Sequence, residues 1–303
     1  MATLNDWIEG ARARTLPASI APVLAGTGVA LWMGRASLPR FILLAVVALA
    51  FQIGVNFSND YSDGIRGTDD VRSGPPRLTG GGKTSPSVVL AAALTFYAVG
   101  CVAGLVLVIM THQWWMIGVG VACVLAAWFY TGGKHPYGYM GLSEIFVFIF
   151  FGLVACGGTI YFQALHVPWQ GWLVASAFGV IACALLMVNN TRDIPTDRIN
   201  HKMTLAVRIG DTWARRTYAL MLVVPLVSTL ALIPTIGWRI IFFLPAAILA
   251  VVCIKPVLMH PQAQGKALIV VLRNTGFVEL AYGLGALIAF WITPLAATMP
   301  VTA

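Results

Sequence analysis

The chain has 303 residues, 59% of them hydrophobic and only 10% charged. A soluble domain carries about 25% charged residues and disorder needs the opposite balance, so both classes are excluded. The net charge of +8 does not point to nucleic acid, because the basic residues stand in loops between apolar runs, as membrane topology demands.

Runs of about 20 apolar residues, long enough to cross a bilayer, recur along the chain. Backbone satisfaction in lipid leaves helices as their form. The sequence therefore reads as one all-α polytopic domain over 1–303. In chain order the predicted spans are 15–33, 41–59, 88–110, 114–130, 145–162, 172–190, 218–237, 240–259 and 280–299. The eighth is the weakest, because Lys255 interrupts it and must snorkel. Asp6, Glu9, Arg12 and Arg14 precede the first run, and many spans follow it, so the run is expected to stay rather than be cleaved. The five cysteines each lie alone in an apolar run and form no C-x-x-C, which argues against a metal knuckle or redox pair.

Nine spans place most of the 19 Lys and Arg on the side that carries the N-terminus. The expectation is a multi-pass plasma-membrane protein with that side in the cytoplasm. All 11 acidic residues are also expected on this side or at its helix ends. Carboxylates contribute little to topology, so they need another cause.

Two polar clusters supply it. The second span closes on Asn56, Asn59, Asp60 and Asp63; at 100° per residue Asn56, Asp60 and Asp63 share a stripe roughly 60° wide. The sixth closes on Asn189, Asn190, Asp193 and Asp197, with Asn189, Asp193 and Asp197 at i, i+4 and i+8. Like charges one turn apart destabilise a helix, and anions are disfavoured at helix C-termini. Repeating this twice suggests a compensating cation. Oxygen-only ligands suit Mg²⁺, which shares its shell with substrate phosphates.

The loops that follow are basic. Arg66, Arg72, Arg77 and Lys83 come after the first cluster, among six glycines; Arg198, Lys202 and Arg208 come after the second. Arginine forks fit phosphate oxygens. Gly82-Lys83-Thr84 imitates the end of a nucleotide P-loop, but the pattern requires glycine where Arg77 stands. Paired carboxylates, phosphate clamps and apolar helices together fit a diphosphate joined to a long hydrocarbon. A dry cavity would protect the allylic cation left when diphosphate departs.

At these residues the chain resembles the UbiA superfamily of intramembrane prenyltransferases. Asn59-Asp60-x-x-Asp63 is similar to its first Asp-rich motif and Asp193-x-x-x-Asp197 to its second. Within the superfamily, several segments resemble the branch that prenylates 1,4-dihydroxy-2-naphthoate for menaquinone. They are Gly10-Ala11-Arg12-Ala13-Arg14-Thr15-Leu16-Pro17, Gly74-Pro75-Pro76-Arg77-Leu78-Thr79, Tyr130-Thr131-Gly132-Gly133 with Pro136-Tyr137-Gly138-Tyr139, Gly141-Leu142-Ser143-Glu144, and Asn189-Asn190-x-Arg192-Asp193 followed by Lys202-x-Thr204-Leu205-Ala206-Val207-Arg208-x-Gly210. One departure is that Gly67 stands where many relatives carry a third Asp, with Asp69 and Asp70 beyond it.

The resemblance implies a nine-helix bundle around an apolar cavity. It implies a polyprenyl diphosphate donor, an aromatic acceptor and Mg²⁺, with loss of CO₂ and diphosphate. Asp60, Asp63, Asp193 and Asp197 would hold the metal, with Asn56, Asn59, Asn189 and Asn190 nearby. Arg72, Arg77, Lys83 and Lys202 would hold diphosphate, and Lys134, His135, Tyr137 and Tyr139 would orient the acceptor. Two alternatives stand: another acceptor such as 4-hydroxybenzoate, or a cation transporter. Transporter sites lie near the bilayer midplane in broken helices, whereas these carboxylates stand at helix ends.

Overall fold

The computed structural model describes residues 2–67, 77–259 and 266–294, all-helical apart from connecting turns. A short amphipathic helix, α1 (Leu4–Gly10), opens the chain, with Thr3 and Asp6 forming a reciprocal capping box. The membrane helices follow: α2 (Leu16–Trp32), α3 (Leu38–Ile65), α4 (Pro86–Thr111) and α5 (Met116–Phe129). The next crossing is composite: α6 (Ser143–Val147), a π-helical stretch at Phe148–Gly157 and α7 (Gly158–Ala164). Then come α8 (Trp169–Ile199), α9 (Leu205–Thr229), the single turn α10 (Ile233–Ile236), α11 (Leu244–Met259) and α12 (Lys266–Trp291). Among the described residues this makes nine apolar helical segments. Proline within the first turn starts α3 and α4 where its missing N–H costs nothing.

The bundle is held by close approaches and a few buried hydroxyl pairs. A Cβ on Gly283 would lie 2.6 Å from the Ala21 carbonyl, and one on Gly28 would lie 2.6 Å from Leu287 Cα, so α2 and α12 pack backbone to backbone and run parallel. Gly152 and Gly179 do the same for the π-helical stretch and α8, at 2.5 Å. Tyr218 pairs with Thr275 and Thr229 with Tyr282, each at 2.8 Å, joining α9 to α12. α3 and α4 pack together, with Ser58 meeting the Tyr97 hydroxyl at 2.8 Å.

The last span departs from expectation. It was expected at 280–299 because Arg273 and Glu279 interrupt the apolar run, but the helix covers Lys266–Trp291. Both charged residues therefore lie inside it, and Glu279 is 3% exposed. The expectation that every acidic residue lies on the cytoplasmic side or at its helix ends fails here, because Glu279 is inside α12. A charged residue is tolerated within a span when it faces a cavity instead of lipid, and both line one.

Candidate active site

The polar end of α3 is buried: Asn56, Asn59, Asp60 and Asp63 are all at most 6% exposed. Each is fixed by a different neighbour. Both Asp60 carboxylate oxygens accept backbone N–H groups, from Leu78 at 2.9 Å and Thr79 at 2.8 Å. Asp60 thus pins the returning chain and with it Arg77, whose guanidinium reaches Asp63 Oδ2 at 3.2 Å. Asp63 Oδ1 accepts the Tyr139 hydroxyl at 2.9 Å. Asn59 accepts the Thr131 hydroxyl at 2.7 Å, and Arg66 donates to the carbonyls of Thr131 and Gly133. Asn56 donates to the Ala11 carbonyl at 2.9 Å, which anchors the turn carrying Arg12. Arg12 adopts a left-handed backbone, φ 52°. Burial, followed by the nearby Arg77 charge, lowers its pKa to about 10, with Asp63 and Asp60 opposing. The group stays cationic at neutral pH.

On α8, Arg192 forks Asp193 at 2.7 and 2.6 Å and donates to Asn189 Oδ1 at 2.9 Å. Asp197 is buried, its Oδ1 3.9 Å from the Lys202 ammonium, and its Oδ2 has no hydrogen-bond partner. The two clusters meet through Tyr139. Its hydroxyl is on Asp63, while its ring lies 5.3 Å from Lys202 Nζ and 5.7 Å from the Arg66 guanidinium carbon. The Met203 amide also donates to the Tyr139 carbonyl at 3.1 Å.

A cavity of about 960 Å³ opens beneath these groups. Arg12, Asn56, Asn59, Asp60 and Arg77 line its mouth with Asn189 and Arg192 opposite, and apolar side chains of α2 to α8 and α12 form its body. No group of three or more His, Cys, Asp or Glu side chains close enough to share one ion occurs among the described residues. Asp63 and Asp197 instead face Arg77 and Lys202, cations expected to grip phosphate, and Asp193 is held by Arg192. Their chemistry still fits a hard divalent cation: every candidate donor is oxygen, and Asp197 Oδ2 is a buried oxygen lacking a partner.

Several expected residues stand elsewhere. Lys83 pairs with Asp6 and does not line the cavity. This contact ties α1 to the loop, and together with the Thr3 hydrogen bonds it holds the Asp6 carboxyl at about 2. Lys134 and His135 are exposed at the surface. Tyr137 lines the cavity, but its hydroxyl donates to the Ala126 carbonyl at 2.8 Å and its ring stacks on Phe146 at 3.9 Å. Tyr139 serves Asp63 and does not line the cavity. Asn190 faces Glu144, away from the cavity. Arg72 lies outside the described residues, as do Asp69 and Asp70. Arg12 and Arg192 are mouth residues that the sequence does not single out; Arg192 lies within the second cluster itself, and Arg12 among the charges before the first span.

A helical membrane bundle with a charged mouth over a hydrocarbon-lined cavity has the shape and charge to fit an amphiphilic anion. The chain belongs to the UbiA prenyltransferase family, which matches residues 19–275. It is 49% identical over 284 residues to the 1,4-dihydroxy-2-naphthoate octaprenyltransferase of Mycobacterium tuberculosis, covering 94% of this chain and 96% of that one. It is 35% identical over 299 residues to the Escherichia coli protein of the same name, covering 94% and 96%. The fold is similar to that of a UbiA homologue from Archaeoglobus fulgidus bound to GPP and Mg²⁺. The TM-score is 0.61 at 13% identity, covering 93% of this chain and 99% of that one. For an apo UbiA homologue from Aeropyrum pernix K1 the TM-score is 0.65 at 15% identity, covering 89% and 97%.

Proposed function

We infer that the protein transfers a polyprenyl group from polyprenyl diphosphate to 1,4-dihydroxy-2-naphthoate, releasing diphosphate and CO₂ and giving demethylmenaquinol. The observation that carries this is the cavity: four arginines, Arg12, Arg77, Arg192 and Arg273, line the mouth of an apolar chamber. Relatives covering nearly the whole chain bear the corresponding name.

The donor's diphosphate would sit at the mouth, where the arginine forks match its oxygens. Asp60, which lines the cavity, and Asp63, Asp193 and Asp197, which are set back from it, would hold Mg²⁺, with Asn56 and Asn189 as neutral oxygens nearby. Bound there, Mg²⁺ supplies positive charge that stabilises the departing diphosphate. Asp60 also accepts the Leu78 and Thr79 amides, and through them it positions Arg77. The apolar body collects the isoprenoid tail, each methylene contributing about 0.8 kcal/mol, and keeps water from the allylic cation. The whole chain works as one domain in the plasma membrane, with the mouth facing the cytoplasm, a reading supported by the distribution of Lys and Arg.

The test is turnover by purified protein with the naphthoate, donors of graded length, and Mg²⁺ or excess chelator. Product with Mg²⁺ and none in chelator is expected. Turnover undiminished by chelation removes the metal, and preference for 4-hydroxybenzoate replaces the acceptor.

A further inference from the structure

We propose that one stripe of α12 – Arg273, Gly276 and Glu279 – is the subsite for the aromatic acceptor, Arg273 taking its carboxylate and Glu279 its far hydroxyl. This rests on the transferase reading above and names a binding surface within it.

All three residues line the cavity. Because α12 runs parallel to α2, with Gly283 beside Ala21 and Leu287 beside Gly28, Arg273 lies level with the turn carrying Arg12, at the mouth. Glu279 lies six residues on, about 9 Å deeper at roughly 1.5 Å per residue. Among the described residues Arg273 makes no ion pair; its hydrogen bond is a 3.5 Å contact to the adjacent Asn274. Glu279 is 3% exposed and no donor among the described residues reaches it. Between them Gly276 presents a bare wall: a Cβ there would meet only Leu185 Cδ1, at 3.8 Å. Tyr130, Tyr137, Phe146 and Phe150 line the same chamber.

A hydrocarbon tail has no use for a buried carboxyl, and leaving one unpartnered in an apolar wall is costly. The cost is offset when a ligand brings a hydroxyl to it. The donor's diphosphate is already matched by Arg12, Arg77 and Arg192. What remains is a cation, a bare wall, aromatic rings lining the same chamber, and an oxygen acceptor. That set fits a planar aromatic with an anion at one end and a hydroxyl at the other. Of the four residues expected to play this part, Lys134, His135 and Tyr139 do not line the cavity, and Tyr137 lines it with its hydroxyl already given to the Ala126 carbonyl.

The test uses full-length protein in detergent with Mg²⁺ and a saturating donor. Arg273→Gln and Glu279→Leu should each raise KM for the naphthoate about tenfold or more, as loss of a contact to a charged group implies, while donor KM stays fixed. Two analogues, measured as competitive inhibitors, locate the contacts. 1,4-Dihydroxynaphthalene lacks the carboxylate and should bind wild type and Arg273→Gln equally. 1-Hydroxy-2-naphthoate lacks the far hydroxyl and should bind wild type and Glu279→Leu equally. Unchanged acceptor KM, a donor KM that moves in step, or a penalty that persists on the matching analogue overturns the subsite while leaving the reaction intact. A wild type inert towards the naphthoate overturns the functional reading, and this subsite with it.

Discussion

The Tyr139 hydroxyl donates to Asp63 Oδ1 at 2.9 Å. Tyr139 comes from the loop after α5 and Asp63 from the end of α3, 76 residues earlier. The contact orients a carboxylate of the first cluster, and the same ring lies beside the lysine that reaches the second.

Tyr139→Phe keeps the ring and removes the donor. A hydrogen bond to a charged group contributes roughly 1.5–3 kcal/mol, so kcat/KM should fall about tenfold or more while the protein stays folded. Steady-state turnover beside thermal unfolding reads both. An unchanged kcat/KM would mean that Asp63 needs no orientation.

Arg77→Ala removes a guanidinium that lines the mouth and reaches Asp63. Donor binding should weaken by about tenfold or more, the scale of a charge-assisted phosphate contact. Arg35→Ala changes an exposed residue just beyond the other end of α2 and should leave turnover alone. Equal losses at both positions would place the diphosphate elsewhere.

Asp193→Asn and Asp197→Asn separate chemistry from scaffolding. Both carboxylates stand near the C-terminal end of α8, where the helix dipole disfavours anions. Apparent stability without metal should hold or rise for Asp197→Asn, whose Oδ2 lacks a partner. Asp193→Asn loses the Arg192 fork and is expected to be no more than modestly weakened. Turnover should collapse in both, by at least about a hundredfold, as when a preorganised electrostatic group is removed. Near-normal turnover would remove the second cluster from the active site.

Asp60→Asn tests positioning. One amide oxygen cannot replace two carboxylate oxygens holding Leu78 and Thr79, and a buried N–H left unsatisfied costs about 1–3 kcal/mol. The chain at Arg77 should loosen, seen as faster limited proteolysis there, with a loss of turnover. A variant as protease-resistant as wild type would sink this role.

Composition and run length alone determined that this is a helical membrane protein, because crossing a bilayer leaves only long apolar helices. The two acidic clusters were also legible, since i, i+3, i+4 spacing places Asp60 with Asp63 and Asp193 with Asp197 on common helix faces whatever the tertiary fold. What each carboxylate touches was decided only by packing. Asp60 binds the 78–79 backbone and Asp63 meets Tyr139 through contacts between residues far apart in sequence, which local periodicity does not encode. The last membrane helix, α12, shows the same division. Arg273 and Glu279 look like the edge of a span in sequence because charge is costly in lipid. In the fold they sit inside α12, where a cavity replaces lipid on that face.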